Sequence, residues 1–187
     1  MIDHTEVESL VDAETDTHST TVSFTLNGED RSRTIPTQTI LLDLLRDSFG
    51  LRGARGSCER GVCGACTVLI DNVPVASCST FVFDVDGKSI ETVESLAGPD
   101  GSLSPQQRAF CERGGFQCGF CTSGMLMLTT GLLRQCPNPD REEIRDWISS
   151  NTCRCTGYEM IFESVEYAAA LSRTASAHLG KSSEADR

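Results

Sequence analysis

Ten cysteines punctuate this chain of 187 residues, and eight of them fall into two sets of four. Cys58, Cys63, Cys66 and Cys78 read C-x4-C-x2-C with a fourth cysteine downstream, whereas Cys118, Cys121, Cys153 and Cys155 come as a CGFC and a CRC from two distant segments. The first spacing is that of a [2Fe-2S] site, where four thiolates converge on a shielded core whose negative charge is offset by backbone N–H groups aimed at sulfur. Gly53, Gly56, Gly61 and Gly64 suit such a loop, because glycine turns amides inward and lets the backbone approach the metal. Zinc sites favour paired short knuckles instead. The second set is less decisive, since two close pairs could hold zinc as well as iron. Each pair nevertheless sits beside the end of an expected helix, where free amides and the helix dipole stabilise an anionic cluster. A disulfide within Cys153-Arg154-Cys155 would be strained. Cys111 and Cys136 are left over and are expected as free thiols in or near a helical core. Two metal centres in one small chain imply electron transfer.

The remaining composition narrows the field. His4, His18 and His178 lie in the terminal stretches, which removes a mixed Cys/His zinc site, a Rieske centre and any Ser-His or Cys-His catalytic pair from the body of the chain. There is no G-x-G-x-x-G and no P-loop sequence to support a nucleotide or flavin site here. A net charge of −11 argues against nucleic acid, because phosphate recognition needs clustered Lys and Arg. Asp3, Glu6, Glu8, Asp12, Glu14 and Asp16 place much of that charge on an N-terminal arm, expected to be disordered. No apolar run is long enough to span a bilayer, and the acidic start is unlike a signal peptide. The expectation is a cytoplasmic protein with no membrane insertion, in a compartment that keeps thiols reduced and so favours metal binding over disulfides.

Those cysteines need elements to position them. Val22, Phe24 and Leu26 alternate with polar residues and run into Asn27-Gly28, a hairpin signal, with a second strand ending near Ile35. Residues 39–47 bring Leu41, Leu44 and Leu45 onto one helical face before the Gly-rich stretch 50–64. Strands Thr67–Ile70 and Val73–Ala76 flank an Asp71-Asn72 turn and carry Cys78 back toward that loop. Mixed β with one helix has the look of a β-grasp. After Ala97-Gly98-Pro99-Asp100-Gly101 strand patterning ends, and Ser104, Pro105 and Gln107 form a helix start. Phe120–Leu133 is too apolar all round for a surface helix and is expected to be buried. Ile144, Trp147 and Ile148 mark an amphipathic helix entered through Asn138-Pro139-Asp140, and Thr156 with Glu159 is expected to cap a last helix lined by Ile161, Val165, Ala168 and Ala169. The expected layout is an acidic tail over 1–19, a first cluster domain over 20–97, a four-helix second cluster domain over 103–172 and a flexible end over 173–187.

The stretch Gly53-Ala54-Arg55-Gly56-Ser57-Cys58-Glu59-Arg60-Gly61-Val62-Cys63-Gly64-Ala65-Cys66-Thr67-Val68, with Gln117-Cys118-Gly119-Phe120-Cys121 and Cys153-Arg154-Cys155-Thr156-Gly157-Tyr158, resembles the iron-sulfur subunit of the molybdenum hydroxylase, or xanthine oxidase, family. The resemblance covers about residues 20–172, and Ser77-Cys78 is similar to the family's fourth ligand position. It implies an α+β fold: a plant-ferredoxin-like β-grasp domain followed by an all-α four-helix domain, each with one four-cysteine [2Fe-2S] cluster. It further implies a large partner subunit holding a molybdopterin cofactor beside the second cluster and a medium partner subunit holding FAD beside the first, in a dimer of heterotrimers. Gln117 and Cys155 are the positions implied to approach the pterin. The implied reaction is oxidative hydroxylation of an aldehyde or N-heterocycle, or oxidation of carbon monoxide, with the clusters passing electrons singly to FAD; a free-standing two-cluster ferredoxin is the competing reading. The chain departs from the family pattern at Ser123, Ser57 and Thr152, none of them an expected ligand.

Overall fold

The computed structural model describes residues 18–182, so the acidic arm lies outside it apart from His18 and Ser19. Strand β1 (Ser19–Leu26) buries Val22, Phe24 and Leu26 and exposes alternate neighbours, as its period demands. It turns through Asn27 and Gly28, both at positive φ, into β2 (Glu29–Pro36), an edge strand that buries only Ile35. The expected helix is α1 (Leu41–Asp43), which passes into a π-helical turn over Leu44–Ser48; Leu41, Leu42, Leu44 and Leu45 all reach the core. The second hairpin pairs β3 (Thr67–Ile70) with β4 (Val73–Ala76). A short β5 (Ser89–Glu91) lies parallel to β1 and antiparallel to β3, completing a mixed sheet in the order β2-β1-β5-β3-β4. Strand β5 escapes sequence reading because Ile90 is its sole apolar residue; the neighbouring strands hold it in place. The Asn27 side chain latches its end, accepting from Thr92 N at 2.8 Å.

Helices α2 (Pro105–Arg113), α3 (Thr122–Gln135), α4 (Arg141–Ile148) and α5 (Glu159–Ser182) follow. The Ser104 hydroxyl accepts from Gln107 N while Gln107 Oε1 accepts from Ser104 N, the expected capping box, and Asp140 caps α4 in the same way. Every residue of α3 from Gly124 to Leu133 is buried, and the hydroxyls of Thr129 and Thr130 are satisfied by Met125 O and Leu126 O of the same helix. One side of α3 packs on the helical core of Phe110, Ile144, Ile148, Ile161 and Val165. The other rests on the β3–β4 hairpin so closely that a Cβ on Gly131 would stand 2.8 Å from Pro74 Cγ. Beside that contact Arg134 grips Glu91 through two bonds of 2.6 and 2.8 Å, and its hydrogen bonds hold the Glu91 carboxyl below the usual carboxylate value. Val93 and Leu96 already pack against the helical core, although they precede the 97–101 turn.

Helix α5 runs as far as Ser182, into the stretch 173–187 expected as a flexible end. One expectation is corrected. Thr156 does not cap α5; the helix starts at Glu159, and the Thr156 hydroxyl accepts from Tyr158 N and turns to a cysteine instead. Among the described residues no helix is long and apolar enough to cross a membrane.

Candidate metal centres

The first four cysteines come from two places. Cys58, Cys63 and Cys66 ride the loop between the π turn and β3, while Cys78 lies in a 3-10 turn directly after β4, carried there by the hairpin. Gly61 and Gly64 take positive φ in that loop, as does Glu59. Gly53 and Gly56 do not, which revises the expectation of inward-turned amides at all four glycines; at Gly53 a Cβ would stand 2.2 Å from Val93 Cγ1, so close approach is what glycine permits there. The amides point at sulfur: Gly61 N donates to Cys78 Sγ at 3.2 Å, and Val62 N and Cys63 N donate to Cys58 Sγ at 3.3 and 3.4 Å. The Arg60 amide, with those of Cys63 and Val62, brings the Cys58 thiol down to about 6, whereas burial pushes Cys78 up to about 11.

The second set closes across a longer stretch of chain. Cys118 and Cys121 lead into α3, with Cys121 at its N-cap, and Cys153 and Cys155 lie on the loop before α5. Cys155 Sγ and Cys118 Sγ are 3.6 Å apart. The Phe120 amide and the contact with Cys155 lower the Cys118 thiol. Burial drives Cys121 up to about 12. At Cys153 burial acts upward but is outweighed by the Thr156 hydroxyl, 3.2 Å from Sγ, and nearby amides, so that thiol lies low; Cys118 beside it raises Cys155. Each set thus combines thiols lowered by hydrogen bonds with thiols that are raised, and binding a cation would favour the thiolate form of all of them.

The sulfurs meet in pairs, Cys58 with Cys63, Cys66 with Cys78, Cys118 with Cys155 and Cys121 with Cys153. No three Cys, His, Asp or Glu side chains among the described residues form a single-ion group. Two thiol pairs per set, flanked by donors to sulfur, would hold a [2Fe-2S] centre. Cys111 and Cys136 stand outside both sets, the latter 3.7 Å from Glu143 Oε2. Gln117 is exposed beside Cys118, and Cys155 is exposed too.

The two loops touch. A cleft of about 210 Å³ is lined by Cys63 and Ala65 from the first loop and by Cys118, Cys121, Cys153 and Cys155 from the second. Thr152 N donates to Cys63 O at 2.9 Å. The Tyr158 hydroxyl accepts from Cys153 N and donates to Asn151 O, bracing the CRC segment. Arg55 lies over the Phe120 ring at 5.3 Å. Asn151 is the residue that sequence reasoning missed, and Thr67 and Tyr158 were read only as parts of longer motifs, without these contacts. Asn151 follows Ser149-Ser150 and reads as an ordinary turn residue; adjacency to Cys153 was the one available signal.

Comparison with known proteins covers both halves. Residues 24–97 match the family described as "2Fe-2S iron-sulfur cluster binding domain" and residues 92–166 the family described as "[2Fe-2S] binding domain". The chain is 46% identical over 144 residues to the nicotine 6-hydroxylase small subunit of Paenarthrobacter nicotinovorans, covering 77% of this chain and 86% of that one. Among solved structures, a chain of quinoline 2-oxidoreductase from Pseudomonas putida 86 superposes with a TM-score of 0.78 at 41% identity, covering 84% of this chain and 98% of that one. Aldehyde oxidoreductase from Desulfovibrio gigas gives a TM-score of 0.79 at 39% identity, covering 83% of this chain but 17% of that much longer one.

Proposed function

This chain belongs to the iron-sulfur subunits of the molybdenum hydroxylases, and we propose that it carries electrons from a molybdopterin centre on a large partner subunit, through two [2Fe-2S] clusters, to FAD on a medium partner subunit. The names of its relatives support an N-heterocycle or an aldehyde as the compound oxidised. The observation that carries the reading is the pairing of eight sulfurs into two sets whose loops are hydrogen-bonded to each other through Thr152 N and Cys63 O. Cys58, Cys63, Cys66 and Cys78 hold one cluster, and Cys118, Cys121, Cys153 and Cys155 the other.

Each cluster, when bound, supplies a one-electron relay. The chain's own groups do the rest. Amides of Gly61, Val62 and Cys63 and the Thr156 hydroxyl offset negative charge on the sulfurs they face, a means of setting potential. Exposed Cys118 and Cys155, with Gln117 alongside, form the side that receives electrons from the pterin. Leu103, Phe116 and Phe120 are large apolar side chains exposed around that side, which favours a docked subunit over a free-standing carrier. Iron, molybdenum and flavin analysis of the intact assembly tests the proposal. About four irons per copy of this chain are expected, with two distinct paramagnetic species on full reduction; zinc in place of iron, or a single species, refutes it.

A further inference from the structure

We propose that Asn151 is a positioning residue that sets the placement of the Gly64–Thr67 loop against the loop bearing Cys153 and Cys155, and with it the separation across which this chain passes electrons. The inference rests on the two-cluster reading above. The Asn151 side chain is 2% exposed and lies where three elements meet. On one side its Oδ1 occupies the space beside Gly64, 1.4 Å from where a Cβ on that glycine would stand. On another, its Nδ2 lies 3.0 Å from the Cβ position of Gly124, in the first turn of α3 after Cys121, and Gly64 O is 2.2 Å from that same point. Its own backbone is tied to the CRC segment, because Tyr158 donates to Asn151 O and accepts from Cys153 N. The next residue donates from Thr152 N to Cys63 O. One side chain is therefore wedged between both cysteine loops and the helix that begins at the second of them.

Polarity distinguishes this wedge from plain packing. Thr67 carries one hydroxyl proton and faces two acceptors, Gly64 O at 2.7 Å and Asn151 Oδ1 at 3.3 Å, while Asn151 Nδ2 has no partner. Burying an amide with an unmet donor costs stability, and an apolar side chain of similar shape would spare that cost. What the amide contributes instead is a contact that reaches Gly64 through Thr67, whose hydroxyl holds Gly64 O at 2.7 Å and lies 3.3 Å from Asn151 Oδ1. Electron transfer forms and breaks no bond, taking one electron from the reduced centre to the oxidised one, and its rate depends steeply on separation. A wedge that removes play between the loops acts on that separation.

The test compares the intact iron-loaded assembly with Asn151→Leu and Asn151→Asp variants, using EPR of the fully reduced state. The magnetic splitting between two reduced centres varies as the inverse cube of their distance, whereas a residue that only stabilises the fold leaves it alone. Loss or change of the splitting in Asn151→Leu, at unchanged iron content, and its retention in the near-isosteric Asn151→Asp support the proposal. An unchanged splitting in Asn151→Leu overturns it. If that variant fails to hold iron, Thr67→Val is read in its place: a changed splitting supports, and an unchanged one overturns. Iron loss in both variants also overturns it, since the pair would then build the sites rather than space them. Failure of the parent protein to show two signals sinks the two-cluster reading itself, before any variant is compared.

Discussion

Replacing Gly124 by alanine sets two effects against each other, and the structure decides which wins. In a helix interior the change is favourable by about 1 kcal/mol, because alanine loses less conformational freedom than glycine. Here the new Cβ would stand 2.2 Å from Gly64 O, where ordinary contact begins near 3.4 Å, and 3.0 Å from Asn151 Nδ2. The obstacle is a backbone carbonyl in the loop between Cys63 and Cys66, held by Thr67 Oγ1 at 2.7 Å and Thr67 N at 3.1 Å, so it cannot swing aside as a side-chain tip could. Either α3 or that loop must retreat by about 1 Å in a close-packed interior. Overpacking of this kind costs about 1–3 kcal/mol, and a backbone carbonyl only 2.2 Å away that cannot yield puts this change at about 2–3 kcal/mol, which outweighs the helix gain. The net expectation is a loss of about 1–2 kcal/mol, seen as an apparent Tm lower by about 2–8 °C in a calorimetric scan. Gly131→Ala is the internal control. Its Cβ meets the Pro74 ring at 2.8 Å rather than a carbonyl, so its cost is smaller. A Gly124→Ala protein as stable as the parent, or more so, refutes the claim that this contact governs.

Three further outcomes follow from particular contacts. Arg134 holds the Glu91 carboxyl below 4.5, so the pair's contribution is fully present above that value and is lost as pH falls through the lowered one; Arg134→Met should cost about 0.5–1 kcal/mol in urea unfolding at pH 7, given partial exposure, with the difference from the parent shrinking as pH falls below 4.5. Tyr158→Phe deletes the hydroxyl that joins Cys153 N to Asn151 O and should destabilise by about 1–2 kcal/mol while leaving the iron-binding spectrum of the first site intact. Cys66→Ser and Cys121→Ser should each remove one paramagnetic species and leave the other, halving the iron content to about two per chain; loss of both species from either change would mean that the two sets do not act separately.

What the sequence disclosed and what it concealed separate along physical lines. Local signals were readable: the Asn27-Gly28 turn, the alternation through Val22 and Phe24, and the Ser104–Gln107 capping box each depend on residues a few positions apart. The spacing of the cysteines suggested a grouping, because ligand spacing is a chemical constraint, and the structure brings Cys155 Sγ within 3.6 Å of Cys118 Sγ. Strand β5 was not, since Ser89, Ile90 and Glu91 are held by β1 and β3 and by no preference of their own. The role of Thr156 was misplaced for a related reason: a capping box and a hydroxyl turned to sulfur have the same sequence, and Tyr158 at positive φ decides between them by starting the helix later. Asn151 was hidden because its partners, Gly64, Thr67 and Gly124, are distant in the chain.

Helix α3 shows why those long-range contacts matter. Its apolar sequence reads as a core helix, yet Gly124, Gly131 and Arg134 fall at spacings of seven and three, which place them on one face. Gly124 lies against the first cysteine loop, Gly131 against Pro74 and Leu69, and Arg134 on Glu91, so that whole face is turned to the sheet domain. Two interior glycines cost the helix about 2 kcal/mol of intrinsic stability. They allow a helix that begins at Cys121 to lie directly on the β3–β4 hairpin that delivers Cys78. Two small domains joined by one turn are free to move against each other by default. A shared helix with no room for even a methyl group at Gly124 removes that freedom where the cysteine loops meet, which is what the proposed relay, dependent on fixed separation, requires.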